Sequence, residues 1–262
     1  MKVITINSGK GGGSFKTTTA WVLATWLNKE GYKPLIIDYE TNSTISGYMG
    51  ADFTNCPTMY HVYTGDVDIK DAIQQTSMSH IIAGNATVDK ISALYFNDIL
   101  NGIKALKKQI PKLEEMGFTH VIIDNQASVG ALQHLQALIA ANDLIIPFHP
   151  DNGSLQGFTN LLDSLKEAKE INPALRIDGI LLGNIRNPIT TNEKFYVGEM
   201  VRWATHIGAK IYRSVIRAGI AIQNAQGNVQ TLWDSYPNEN VTHDFENFVL
   251  EYMENNKESK IT

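Results

Sequence analysis

Short apolar runs recur along the chain, each followed by a polar turn and then by a helix-like pattern. They are Lys2–Ile6, Pro34–Asp38, His80–Ala83, His120–Asp124, Asp143–Phe148 and Asp178–Leu182. Ile, Val and Leu fill these runs without polar alternation, which is the pattern of parallel strands covered on both faces. Between the first two runs a helix is predicted from about Lys16 to Glu30, with Gly31 free to end it and restart the chain as a strand. A last short strand is expected over Lys210–Val215, with helices following to about Met253. The fold class is therefore α/β, a doubly wound and mostly parallel sheet flanked by helices. One domain, residues 1–253, is expected, with 254–262 a frayed tail because it offers almost no apolar anchor.

Ligands of such sheets bind beyond the carboxyl ends of the strands. The polar stretches after Ile6, Ile37, Ile123, Phe148 and Leu182 are thus the places to look for chemistry. The first, Ser8 to Thr19, is rich in glycine and opens a helix. Such a turn aims backbone N–H groups and the positive end of the helix at one point, where phosphate fits. Gly11, Gly12, Gly13, Ser14, Phe15, Lys16, Thr17 and Thr18 would cradle a triphosphate, Lys16 reaching the β- and γ-phosphates and Thr17 holding Mg2+, as in GxxxxGK[ST] loops. Phe15 stands where that pattern has its last glycine, and Lys10 where it has its first. A plain strand-to-helix turn is the competing reading.

The second run ends in Asp38-Tyr39-Glu40, two carboxylates that extended backbone would point the same way. They could orient water or metal, or simply form a solvated turn with a helix cap. The run Val121-Ile122-Ile123 leads straight into Asp124, an acid that a core strand would not bury unpaired, in the Walker B arrangement. Asp124 would hold the Mg2+ shell directly or through water; a strand-end cap is its alternative.

Composition narrows the classes. With 262 residues, 43% hydrophobic and 19% charged, the chain can bury a full core, and no apolar run reaches the roughly 18 residues a membrane span needs. The first residues read as a strand and not as a signal peptide, so a cytoplasmic protein is expected. The single cysteine, Cys56, excludes an internal disulfide framework and reads as a small, partly buried side chain. Net charge is −5, yet the segment from Arg186 to Arg217 carries +4 and the remainder −9. Arg186, Lys194, Arg202, Lys210, Arg213 and Arg217 are thus a candidate basic face, or ordinary solvated charges. Lys104, Lys107, Lys108 and Lys112 have helical spacing and read as a solvated face.

Taken in order, these motifs resemble the ParA/MinD family of ATPases with a deviant Walker A box, closest to the short ParA-type partition proteins. The resemblance covers nearly the whole chain. Lys10-Gly11-Gly12 and Lys16-Thr17-Thr18 match the ends of the family's KGGxGK[ST]T loop, Asp38-Tyr39-Glu40 its paired acids, and Val121 to Ser128 its Walker B strand. Ala140 to Pro147 and Asn172 to Leu182 match later phrases. The resemblance implies a homodimer with ATP between the subunits, Lys10 crossing to the partner's phosphates, and Glu40 orienting the attacking water. It implies Asp38, Asp124 and Thr17 around Mg2+, and Asn184 or Asn187 at the base. It also implies ATP-dependent binding of non-specific DNA on the nucleoid and a centromere-binding ParB-like adaptor that stimulates hydrolysis to ADP.

The chain departs from the family in having five residues between Lys10 and Lys16 where four are usual. Phosphate binding should survive the longer loop more easily than hydrolysis, since about 1 Å of misplacement can cost roughly a hundredfold in rate. ATP binding with slow turnover is expected. No membrane attachment is expected either, because the C-terminal stripe from Asp244 to Glu254 has an acidic polar face that anionic lipid would repel. The alternative is a hydrolysis-poor, nucleotide-dependent switch acting through protein partners, MinD-like or regulatory. A metabolic enzyme on the same fold is disfavoured because no His–carboxylate pair stands out, His149 being the histidine best placed near the predicted site.

Overall fold

The computed structural model describes residues 1–10, 13–125 and 131–257. Eight strands form one sheet: β1 (Lys2–Ile6), β2 (Pro34–Asp38), β3 (Ile73–Gln75), β4 (His80–Ile82), β5 (His120–Asp124), β6 (Asp143–Phe148), β7 (Arg176–Ile185) and β8 (Ile211–Arg217). Their order is β3-β4-β2-β5-β1-β6-β7-β8, and every pairing is parallel except that of β3 with β4. The doubly wound sheet read from the sequence is present. The antiparallel edge strand β3 is absent from the sequence reading, because Ile73-Gln74-Gln75 has no apolar run to mark it. β7 and β8 also run further than expected.

Both faces of the sheet are covered, which explains the unbroken apolar runs. Within β5, Val121 and Ile123 pack into one core while Ile122 joins the other, and Leu35 and Ile37 are divided from Ile36 in the same way. The helices Leu132–Ala140, Asn152–Ile171 and Thr191–Ile207 cover the first face. The helices Lys16–Lys29 and Asn240–Lys257 cover the second. Trp21, Leu23 and Leu27 of the helix that follows the glycine-rich loop are fully buried. At about 1.5–3 kcal/mol for each large apolar side chain removed from water, this helix is fixed firmly to the sheet. A loop at its N-terminus therefore has a rigid base.

The C-terminal stripe is also core: Phe245, Phe248, Val249 and Tyr252 are fully buried on the sheet. The helix does not end at Met253 but continues to Lys257. Asn256 holds that extra turn, bonding to the Arg176 guanidinium, the Asp178 carboxylate and the Tyr252 carbonyl. Residues 254–257 are thus anchored where a frayed tail was expected, and 258–262 lie outside the described residues. No helix among the described residues is long and apolar enough to cross a membrane.

Candidate active site

Register places the chemistry. Ile6 pairs with Asp124, and Asp124 pairs with Asp38, so β1, β5 and β2 end level with one another. The glycine-rich loop leaves β1 at this edge. Asn7 starts the turn by accepting the Gly9 N–H (3.0 Å) through its side-chain oxygen. Gly9 has φ +65° and lies against Gly157, where a β-carbon on either residue would collide with the other's backbone. The loop is thereby held against the helix Asn152–Ile171.

Beyond it, Gly13 lies at φ +70° and Phe15 at φ +45°, immediately before the helix Lys16–Lys29. Gly11 and Gly12 lie outside the described residues, as do Gln126, Ala127 and Ser128 of the Walker B phrase.

Lys16 is buried, and its ammonium donates to the Lys10 carbonyl (2.9 Å) and the Ser14 hydroxyl (3.2 Å). Burial lowers its pKa, while Asp124 and Glu40 act in the opposite direction. Lys10 points elsewhere. Its Nζ is 2.6 Å from Asp151 Oδ2, and Asp151 in turn caps the helix Asn152–Ile171 through the Ser154 N–H (2.7 Å). Burial pushes the Asp151 carboxyl up, but Lys10 and Ser154 together outweigh it and hold the group below its ordinary range. His149 Nε2 lies 3.9 Å from the same carboxylate.

The three carboxylates differ in environment. Asp38 is fully buried and satisfied: it accepts from the Glu40 N–H (2.8 Å) and the Ser46 hydroxyl (2.6 Å). Gly84 packs against it, since a β-carbon there would stand 2.8 Å from its carboxyl carbon. Burial still pushes its pKa up to about 6. Asp124 is fully buried; neither of its oxygens reaches full hydrogen-bond geometry, the Thr17 hydroxyl being the polar group that comes nearest to bonding it. Burial first, then Glu40 and Asp38, push its pKa well above the carboxylate range, against the pull of Lys16 and Thr17. Glu40 is only partly buried; desolvation raises its pKa and Lys16 counters that.

A cleft of about 900 Å³ opens over this edge. Gly13, Ser14, Phe15, Lys16, Thr17, Thr18 and Glu40 line one side. Asn184 and the segment from Arg217 to Gly219 line the other, with Ile220, Gln223 and Gln226 of the helix Ile220–Gly227. Asn184, at φ +55°, reaches the cleft; Asn187 is exposed and does not line it. Gln226 ties the two sides together by donating to the Thr18 hydroxyl (3.1 Å). The Arg217–Gln226 wall is missing from the sequence reading. The carboxyl-end rule, extended to the last strand, would have pointed to it.

Four of the six residues of the candidate basic face have carboxylate partners. Arg217 forms a two-pronged pair with Asp244 (2.7 and 2.8 Å) and also lines the cleft. Arg213 lies 3.5 Å from Glu251, Lys210 lies 3.7 Å from Asp178, and Arg202 pairs with Glu199. Arg186 and Lys194 are exposed.

Does this site suit a metal–nucleotide? A buried carboxylate that its surroundings under-compensate can take a cation, and the Thr17 hydroxyl beside it supplies a hard oxygen of the kind Mg2+ takes. No cage of three His, Cys, Asp or Glu exists among the described residues. Mg2+ at nucleotide sites is held largely by phosphate and water, with one or two protein oxygens. When bound, the ion would neutralise charge on the phosphates. Thr17 and Asp124 would hold it, with Asp38 supporting.

A model of the AAA domain family matches residues 1–177. The chain belongs to the ParA/MinD family of P-loop ATPases. It is 27% identical over 216 residues to the chromosome-partitioning ATPase Soj of Treponema pallidum, covering 82% of each chain. Apo McdA of Cyanothece has the same fold, with a TM-score of 0.83 at 22% identity over 97% of this chain and 99% of that one. Cobyrinic acid a,c-diamide synthase from Mycobacterium smegmatis, solved with an ATP analogue and magnesium, is similar at a TM-score of 0.70 and 26% identity. That match covers 77% of this chain and 80% of that chain. The third reading, a metabolic enzyme on this fold, thus has a structural counterpart.

Behind the site lies a buried polar pair, Asn7 Nδ2 with His134 Nδ1 at 2.9 Å, whose other ring nitrogen is unpaired among the described residues. Burial lowers the His134 pKa to about 4. The native state therefore binds fewer protons than the unfolded chain between pH 6.5 and about 4, so stability falls as pH falls through that window. The expected His134 contribution is about 3 kcal/mol, at 1.36 kcal/mol per pKa unit. Urea unfolding at pH 7.5 and 4.5 should show that loss in the native protein and a clearly smaller one in His134→Gln. Equal losses would show that His134 is not the group responsible.

Proposed function

We propose that the chain is a partition or positioning ATPase that works as an ATP-dependent homodimer. The observation that carries this reading is the presence of two lysines with separate tasks at one sheet edge. Lys16 is buried in its own loop, where its ammonium can exchange the Lys10 carbonyl and Ser14 hydroxyl for phosphate oxygens. Lys10 is held at the surface of the same edge by Asp151. On this reading Lys10 crosses to the phosphates of a second subunit and stabilises charge that develops in the transition state. Glu40 orients the attacking water, and Asn184 contacts the base. Non-specific DNA binds the dimer, and a ParB-like adaptor completes stimulation on the nucleoid.

Two features support slow turnover without that adaptor. The loop is one residue longer than the family's, and Lys10 must leave Asp151 before it can cross. The pair is partly exposed, so it is worth at most about 1 kcal/mol, or roughly fivefold in rate. Asp151→Asn keeps an oxygen for the Ser154 N–H but drops the charge. Its unstimulated single-turnover rate should rise by up to about fivefold. An unchanged or lower rate would count against Asp151 as a restraint on Lys10.

A second reading, a nucleotide switch acting through protein partners, is favoured by the carboxylate pairing of Lys210, Arg213 and Arg217. Exposed pairs such as Arg202–Glu199 are weak enough to yield to DNA phosphates, whereas the two-pronged Arg217–Asp244 pair is not so easily given up. Gel-shift titration with random-sequence duplex, with and without Mg–ATP, separates the two readings. The partition reading expects binding only with ATP and a steep loss with salt, since each phosphate contact releases counterions. Absence of binding, or salt-insensitive binding, would favour the switch.

A further inference from the structure

Phe15 occupies the place of the loop motif's last glycine, yet it keeps a glycine's backbone, φ +45° and ψ 26°. A bulky residue in the left-handed region is strained and persists only where its surroundings hold it. The surroundings here lie across the cleft. The Phe15 ring covers the Cα of Gly183 in β7, where a β-carbon would stand 2.6 Å from Cε2 and 2.8 Å from Cε1. Gly183 immediately precedes Asn184, which is also left-handed and lines the cleft. At the other end the Phe15 carbonyl accepts both the N–H (2.9 Å) and the hydroxyl (2.8 Å) of Thr19, fastening this backbone to the first helix. One side chain thus joins the phosphate end of the cleft to the strand end opposite.

We propose that Phe15 is a positioning residue for the nucleotide. Its ring, seated on Gly183, fixes the separation between the phosphate loop and the Asn184 end of β7. A loop lengthened by a residue has more conformations to lose on binding, and the seated ring removes some of them before the ligand arrives. A glycine at this position would adopt the same backbone without strain but would leave the loop unattached to β7. The role is geometric, because the ring supplies no acid, base or charge to the reacting phosphate. It matters only for ligands long enough to touch both ends of the cleft.

The test is equilibrium binding of Mg–ATP and of Mg–inorganic triphosphate to the native protein and to Phe15→Tyr, Phe15→Asn, Gly183→Ala and the Phe15→Asn/Gly183→Ala double variant. Asparagine is chosen because it tolerates left-handed backbone. Phe15→Asn should weaken ATP about tenfold while leaving triphosphate within about twofold, and Phe15→Tyr should bind both as the native protein does. Gly183→Ala leaves the loop's sequence intact but places a methyl group in the ring's seat, so it should reproduce the selective loss of ATP. The double variant should be no worse than either single one, because both changes break the same contact. Equal weakening of both ligands would mean general damage to the loop and overturn the proposal. Unchanged ATP affinity in Gly183→Ala, or losses that add in the double variant, would overturn it as well.

Discussion

In-register pairing of β1, β5 and β2 is the constraint on which the site depends. It sets Ile6, Asp124 and Asp38 level at one edge, so that the turn leaving β1 must pass over a buried carboxylate. Parallel pairing of this kind requires each strand to be covered on both faces, and the two cores provide that cover. The helix Lys16–Lys29 is the consequence that matters most. Packed by Trp21, Leu23 and Leu27, it presents its N-terminus to the same edge, with Lys16 and Thr17 in its first turn. Phosphate-binding geometry follows from the packing of the sheet and does not rest on the loop sequence alone.

The same edge concentrates unfavourable terms. Three carboxylates and two lysines share a low-dielectric region, and each relieves itself differently. Asp38 takes hydrogen bonds from Ser46 and the Glu40 backbone; Lys16 borrows a carbonyl and a hydroxyl from its own loop; Lys10 finds Asp151. Asp124, fully buried, has only the Thr17 hydroxyl and the charge of Lys16 to act on it, and neither of its oxygens reaches full hydrogen-bond geometry. A buried polar group left unsatisfied costs about 1–3 kcal/mol, and more when charged. Such a cost is ordinary where function requires a group to remain available.

Much of this was legible in the sequence. The strands β1, β2, β5 and β6 have the bounds their apolar runs predict, and the positions of Asp38 and Asp124 at strand ends follow from those bounds. The edge strand β3 was not legible, because a three-residue antiparallel strand of Ile73, Gln74 and Gln75 carries no periodic signal. Nor was the Arg217–Gln226 wall, since its residues enter the cleft only through the topology that places β8 beyond β7. Charge along the chain says nothing of the partners that folding supplies. Arg213 and Arg217 look like part of a basic segment, but the fold brings Glu251 and Asp244 of the last helix against them. His134 showed nothing in the sequence, and only packing makes it a buried neutral ring next to Asn7.

The central claim is that the fold keeps Asp124 unsatisfied for a metal–nucleotide. Thermal unfolding of the native protein and of Asp124→Asn, each alone, with ATP and with Mg–ATP, tests it most directly. Without ligand, Asp124→Asn should unfold at the higher temperature, because the desolvation of the buried carboxylate outweighs what Lys16 and Thr17 return to it. The extra stabilisation that Mg2+ adds to ATP in the native protein should be lost in the variant. A less stable Asp124→Asn that keeps the full Mg2+-dependent increment would contradict the account.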